Sequence, residues 1–207
     1  MKYISTILIL LGLVLVIAGG YEYFDMKYQV HHTLADTKQK LEQSSPKNVQ
    51  HTQDHTNPHS KGVPANFQPE FNQSFGILKI PKLKTELPII EGTDPDELAK
   101  GVGHYDTTAF PGQNKPVLLA GHRDTVFRGF SKLKKGDLFI VKLPYGTYQY
   151  RMKNYKIVDK DNQSVVQHAL KGTEEQLLVS TCYPFRYVGN APKRYVIYSY
   201  LVTSTHH

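Results

Sequence analysis

The sequence predicts a mainly β domain, one barrel or sandwich of short strands, carried on an N-terminal membrane helix by a polar linker. Three observations predict it. An uncharged apolar run fills the N-terminus, a stretch nearly devoid of apolar residues follows, and from Phe75 onward short β-type runs alternate with turn residues. These divide the chain into 1–20 (membrane anchor), 21–74 (juxtamembrane stalk and linker) and 75–207 (the β domain).

After Met1-Lys2, the residues Tyr3 to Gly20 carry no charge and only Ser5 and Thr6 are polar. About 18 residues rising 1.5 Å each span roughly 27 Å, close to the hydrocarbon thickness of a bilayer. A cleaved signal peptide has a shorter apolar region and a small-residue cleavage pattern, and Val16-Ile-Ala-Gly-Gly20 offers no clear A-x-A. An uncleaved anchor is therefore expected. Lys2 before the run, with Glu22 and Asp25 after it, places the N-terminus inside and the bulk outside.

Beyond the anchor, Tyr21, Phe24 and Tyr28 recur at helical spacing, and Leu34 and Leu41 continue the pattern sparsely, so the helix is expected to run on as a stalk to about Glu42. Residues 43–70 lack apolar content and period and read as a flexible tether. His51, His55 and His59 share an i, i+4, i+8 spacing, yet Pro58 opposes a helix there and no cysteine or acidic cluster completes a metal site.

The β domain begins with Phe75-Gly-Ile-Leu-Lys-Ile80, stopped by Pro81. Runs follow at 87–90, 116–120, 137–143, 147–158, 176–180 and 194–201, with brief helical pieces at 94–100 and 126–133. The Tyr145-Gly146 turn between alternating runs marks a hairpin over 137–158. These strands predict one antiparallel barrel or sandwich, and the roughly 133 residues available suffice for one core.

The formal charge of +7 belongs wholly to residues 75–207, which hold 19 of 25 Lys+Arg against 12 of 18 Asp+Glu. Such a balance lies within ordinary solubilising charge. For a domain outside the cell it points to anionic lipids or wall polymers, and no nucleic acid is expected as a partner.

Cys182 is the only cysteine, so an intramolecular disulfide is impossible. An exported lone thiol is a small buried hydrophobe, an interchain bridge or a nucleophile. Its company favours the last. His122 follows the run ending at Ala120-Gly121, Cys182 follows the run 176–181, and Arg194 opens the final run. A thiol needs an imidazole to take its proton, and a tetrahedral oxyanion needs fixed donors such as a guanidinium. His104 and His168 are the competing histidines between the first and last strand-like runs; Arg123, Arg128, Arg151 and Arg186 are the competing arginines.

These residues carry a resemblance to the sortases, membrane-anchored cysteine transpeptidases of Gram-positive cell surfaces. The matching pieces are Phe75-Gly-Ile-Leu-Lys-Ile-Pro81, Leu118-Leu-Ala-Gly-His-Arg-Asp124, Thr181-Cys182 and Lys193-Arg194-Tyr-Val-Ile-Tyr198. The segment from Cys182 to Arg194 is most similar to class D sortases of spore formers. The family's Thr-Leu-x-Thr-Cys motif is half kept, as Leu178-Val-Ser-Thr-Cys182.

The resemblance implies a closed eight-stranded β-barrel, with Cys182, His122 and Arg194 catalytic and Thr181 at the substrate. It also implies substrates: secreted proteins bearing a Leu-Pro-x-Thr-type sorting signal, here of the Leu-Pro-x-Thr-Ala form. These would be joined through a thioacyl enzyme to an amine of peptidoglycan or its lipid-linked precursor. The implied location is the cell membrane, single-pass, with the catalytic domain outside.

No cofactor or metal is expected. Some sortases use calcium, but Glu91, Asp94, Asp96 and Glu97 are equally explained by a helix N-terminus. An Asp-Pro-aromatic lid of the pilin-polymerising kind is absent ahead of the domain, as is the Ser-x-Gly-Cys context of L,D-transpeptidases. The rival readings are a cysteine protease that mainly hydrolyses and a non-catalytic surface-binding barrel.

Overall fold

The computed structural model describes residues 2–44, 63–187 and 189–202. Most of the tether expected at 43–70, with His51, His55 and His59, lies outside them.

Helix α1 (Lys2–Ser44) carries the apolar run and continues without a break into the stalk. Among the described residues it is the one helix long and apolar enough to cross a membrane. Its first half exposes Ile4, Leu8, Leu11 and Leu15, while toward its end Thr37 is buried and Val30 packs on the barrel. Lys38 forms an ion pair with Glu86.

The domain is a closed eight-stranded barrel in the order β1-β2-β3-β4-β7-β8-β6-β5. Its strands are β1 (Ser74–Ile80), β2 (Thr85–Glu91), β3 (Val102–His104), β4 (Val117–Gly121), β5 (Leu138–Leu143), β6 (Gly146–Asp159), β7 (Gln176–Tyr183) and β8 (Lys193–Leu201). Closure comes from β1 pairing with both β2 and β5, which leaves no free edge. The β5–β6 hairpin turns between Leu143 and Gly146, as the alternation there predicts.

The expectation of an all-antiparallel sheet needs correction. β2 pairs with β3 in parallel, and so does β4 with β7. Each parallel pair needs a crossover: α2 (Pro95–Lys100) lies in the first, and the β5–β6 hairpin with α3 (Ser164–Lys171) in the second.

α3 also explains why β4 and β7 read as continuous apolar runs. Leu177, Val179, Val117 and Leu119 point into the barrel, whereas Leu118, Leu178 and Val196 are buried on its outer face with Val165 and Ala169 of α3. Strands covered on both faces lose their alternation. The expected helical piece at 126–133 is a turn and one 3₁₀ segment, Phe130–Lys132, whose Phe127 and Phe130 fill the barrel.

Residues 63–73 do not behave as plain linker. Phe67 packs edge-on against Phe75, Phe110 and Tyr145, with ring centroids 5.9, 5.1 and 4.8 Å apart.

Candidate active site

The topology places the three candidate residues together. β7 and β8 are antiparallel neighbours in which Cys182 stands directly opposite Arg194. Residues opposed in this way project from the same side of the sheet. That side is the barrel's outer face, since Thr181 and Tyr195, one position away on each strand, are buried inward. Cys182 itself is part-exposed and unbridged. It occupies the end of β7, not the loop beyond it.

β4 lies against β7 on the other side, with Gly121 opposite Thr181, so His122 leaves its strand beside the thiol. Thr181 donates its hydroxyl to the Gly121 carbonyl at 2.7 Å. This differs from the expectation that Thr181 touches substrate: the side chain is 2% exposed and its hydroxyl is engaged inside the barrel. It joins the cysteine strand to the histidine strand. Gly121 is needed there for space, because a Cβ would lie 2.6 Å from the Phe127 ring.

His122, Cys182 and Arg194 line one cavity of about 330 Å³, together with Arg123, Asp124, Lys160 and Gly189–Ala191. Neither rival histidine lines it. His104 is fully buried, its Nδ1 2.8 Å from Glu91 and its Nε2 3.1 Å from the Ala109 carbonyl. His168 sits on α3 against Gln176. Of the acidic residues at the end of β2 and beyond it, Glu91 serves His104 and Glu97 is buried.

Arg123, in the sequence only a competitor of Arg194, has a different place in the structure. Its guanidinium donates to the Tyr187 and Gly189 carbonyls at 2.6 and 3.2 Å and lies over the Tyr187 ring. It thereby ties the loop after Cys182 to the segment after His122. Its adjacency to His122 was the available signal. Arg194 meanwhile donates to the carbonyls of Ala191 and Lys193 at 3.2 and 3.1 Å, which fixes where its fork can point.

A second cavity of about 330 Å³ adjoins the first and shares Lys160 and Arg194 with it. Its floor is Leu118, Ala120, Ser180 and Val196 on the outer face, and Val158, Val165 and Val166 form its wall. Thr93, Asn162, Gln163 and Ser180 add polar groups to its lining. A groove of mixed character leading to a thiol, an imidazole and a guanidinium can hold a peptide and attack one of its carbonyls.

Comparison with known proteins agrees. A family model described as "Sortase domain" matches residues 78–202. The chain is 45% identical over 202 residues to Sortase D of Bacillus subtilis, covering 98% of this chain and 99% of that one. It is 34% identical over 140 residues to Sortase SrtE1 of Streptomyces coelicolor, covering 60% of this chain and 39% of that one.

Among solved structures, the catalytic domain of B. anthracis SrtD superposes with a TM-score of 0.56 at 34% identity, covering 70% of this chain and 97% of that one. The Clostridium perfringens Sortase D5 transpeptidase shares the fold, with a TM-score of 0.65 at 21% identity over 85% of this chain and 99% of that one. The barrel with this cavity, and a sequence match over nearly the whole chain, make this protein a member of the sortase family of cysteine transpeptidases.

Proposed function

We propose that this sortase is anchored by residues 1–20, reaches outward through residues 21–74, and uses the domain 75–207 to join secreted proteins to peptidoglycan. The observation that carries the reading is the shared cavity of His122, Cys182 and Arg194, adjoining a groove with an aliphatic side. The substrate is a Leu-Pro-x-Thr-Ala sorting signal, whose leucine and proline suit the groove's valine and leucine lining.

The Cys182 thiolate attacks the threonine carbonyl, and the Arg194 guanidinium stabilises the oxyanion that forms. Collapse of the intermediate breaks the Thr–Ala bond as His122 gives its proton to the departing amine. A thioester to Cys182 remains. An amine of peptidoglycan or its lipid-linked precursor then attacks it, His122 takes that amine's proton, and the thiolate returns. The apolar helix α1 supports a single-pass membrane location with the domain outside.

The test is product analysis with a fluorescent Leu-Pro-Asn-Thr-Ala peptide, with and without an added amine such as diaminopimelate. Transfer product should rise with amine concentration at the expense of free acid. Free acid alone at every amine concentration would identify a hydrolytic cysteine protease instead.

A further inference from the structure

Among the described residues Lys160 is the one lysine that lines both the catalytic cavity and the adjoining groove. It follows the end of β6, and its backbone N–H donates to the Pro192 carbonyl at 2.9 Å, which pins it beside the loop leading to Arg194. Among the described residues its ammonium has no ion-pair partner. Asp159 and Asp161 flank it in sequence but line neither cavity, and Asp124 lines the catalytic cavity only. The groove itself is lined by no carboxylate. An exposed cation thus stands unpaired at the junction of two binding spaces.

The position of the junction says which substrate residue meets it. This step rests on the sorting-signal reading above. With the threonine carbonyl at Cys182, and the leucine and proline in the groove among Leu118, Val165, Val166 and Val196, the intervening residue of the signal spans the junction. The other cation there, Arg194, is held by two carbonyls and serves the oxyanion in the proposed mechanism. Lys160 is left to face the side chain of the variable residue.

We propose that Lys160 is a specificity-determining residue that selects an acidic side chain at the variable third position of the signal. A single solvent-facing ion pair sets the scale: about fivefold in kcat/KM between a carboxylate and a neutral isostere, and a similar loss for a lysine. The preference should shrink at high ionic strength, because the pair is exposed.

The experiment compares Leu-Pro-Asp-Thr-Ala, Leu-Pro-Asn-Thr-Ala and Leu-Pro-Lys-Thr-Ala peptides with the full-length protein in detergent and its Lys160→Glu and Lys160→Met variants. Each variant is normalised to its own rate on the asparagine peptide, so a general loss of activity does not enter. The expected order in the parent protein is Asp above Asn above Lys, flat in Lys160→Met and inverted in Lys160→Glu. Equal rates on all three peptides would overturn the selectivity while leaving the sortase reading intact. An acid preference that persists in Lys160→Glu would assign it to Arg194 and overturn the role of Lys160. Cleavage of none of the peptides by the parent protein would sink the sorting-signal reading, and this inference with it.

Discussion

A lysine at position 194 would keep the charge and lose the planar fork that the Ala191 and Lys193 carbonyls now orient. Arg194→Lys is therefore expected to lower turnover by about 10²-fold, as for loss of one oxyanion donor, with thermal stability little changed. Comparing steady-state kinetics with a melting curve separates the two. His122 and His104 should fail in opposite ways. His122→Ala should cost more than about 10²-fold in rate while the fold survives, because thiolate formation and proton return are both lost. His104→Ala leaves the buried Glu91 carboxylate without its partner, and denaturant unfolding should show a loss of about 3–5 kcal/mol. The part of the site legible in the sequence was the part with a chemical signature: one thiol, and a histidine and an arginine at the ends of apolar runs. Arg123 and Thr181 were not legible in these roles, because what they do depends on which loop carbonyl or strand comes within reach, and that is set by tertiary pairing.

At the scale of elements, the contact between β4 and β7 governs the alignment of His122 with Cys182. Gly121 carries that contact. A methyl group there meets Phe127 at 2.6 Å, a ring packed inside the barrel that cannot swing aside. Gly121→Ala is expected to destabilise by about 1–3 kcal/mol through overpacking. It should also depress turnover more than its stability loss explains, since His122 follows directly; melting temperature and kcat measured on the same preparation check both. The hairpin over 137–158 could be read from alternation because along β5 one face meets the core and the other is more open. β3 could not, since three residues including a glycine show no period. Nor could α3, whose eight residues bury only Val165 and Ala169. The parallel pairing of β4 with β7 was equally hidden, for strand direction is decided by crossovers far away in sequence.

At the scale of the whole molecule, the stalk end of α1 touches the barrel through Val30, Thr37 and the Lys38–Glu86 pair, and Phe67 seals against Phe75. The hydrogen bond from Lys38 holds the Glu86 carboxyl below its usual range, opposed by partial burial and assisted by Lys79. A depressed carboxylate contributes above its unfolded pKa and loses that contribution as pH falls through the folded value. Stalk docking should accordingly weaken in acid and in high salt, by no more than about 1 kcal/mol, as hydrogen exchange along residues 28–42 would reveal. Among the described residues the barrel's buried core draws no residue from α1, and Val30 packs against it from outside. A form beginning at residue 63 is expected to stay folded and cleave peptides at a near-native rate, yet fail to attach proteins to the wall in cells, where the anchor supplies effective concentration. Unfolding of that form, or loss of its peptide activity, would show the stalk to be part of the domain.

Cys182 should form an acyl bond to the signal's threonine, which intact-protein mass spectrometry with peptide mapping detects. After brief incubation with a Leu-Pro-x-Thr-Ala peptide and acid quench, the expected adduct has the mass of the peptide up to threonine, less water. It should map to Cys182, disappear on adding hydroxylamine, and be absent in Cys182→Ala, which should show no turnover. Peptide cleavage that continues in Cys182→Ala, or an adduct that maps to another residue, would contradict the account.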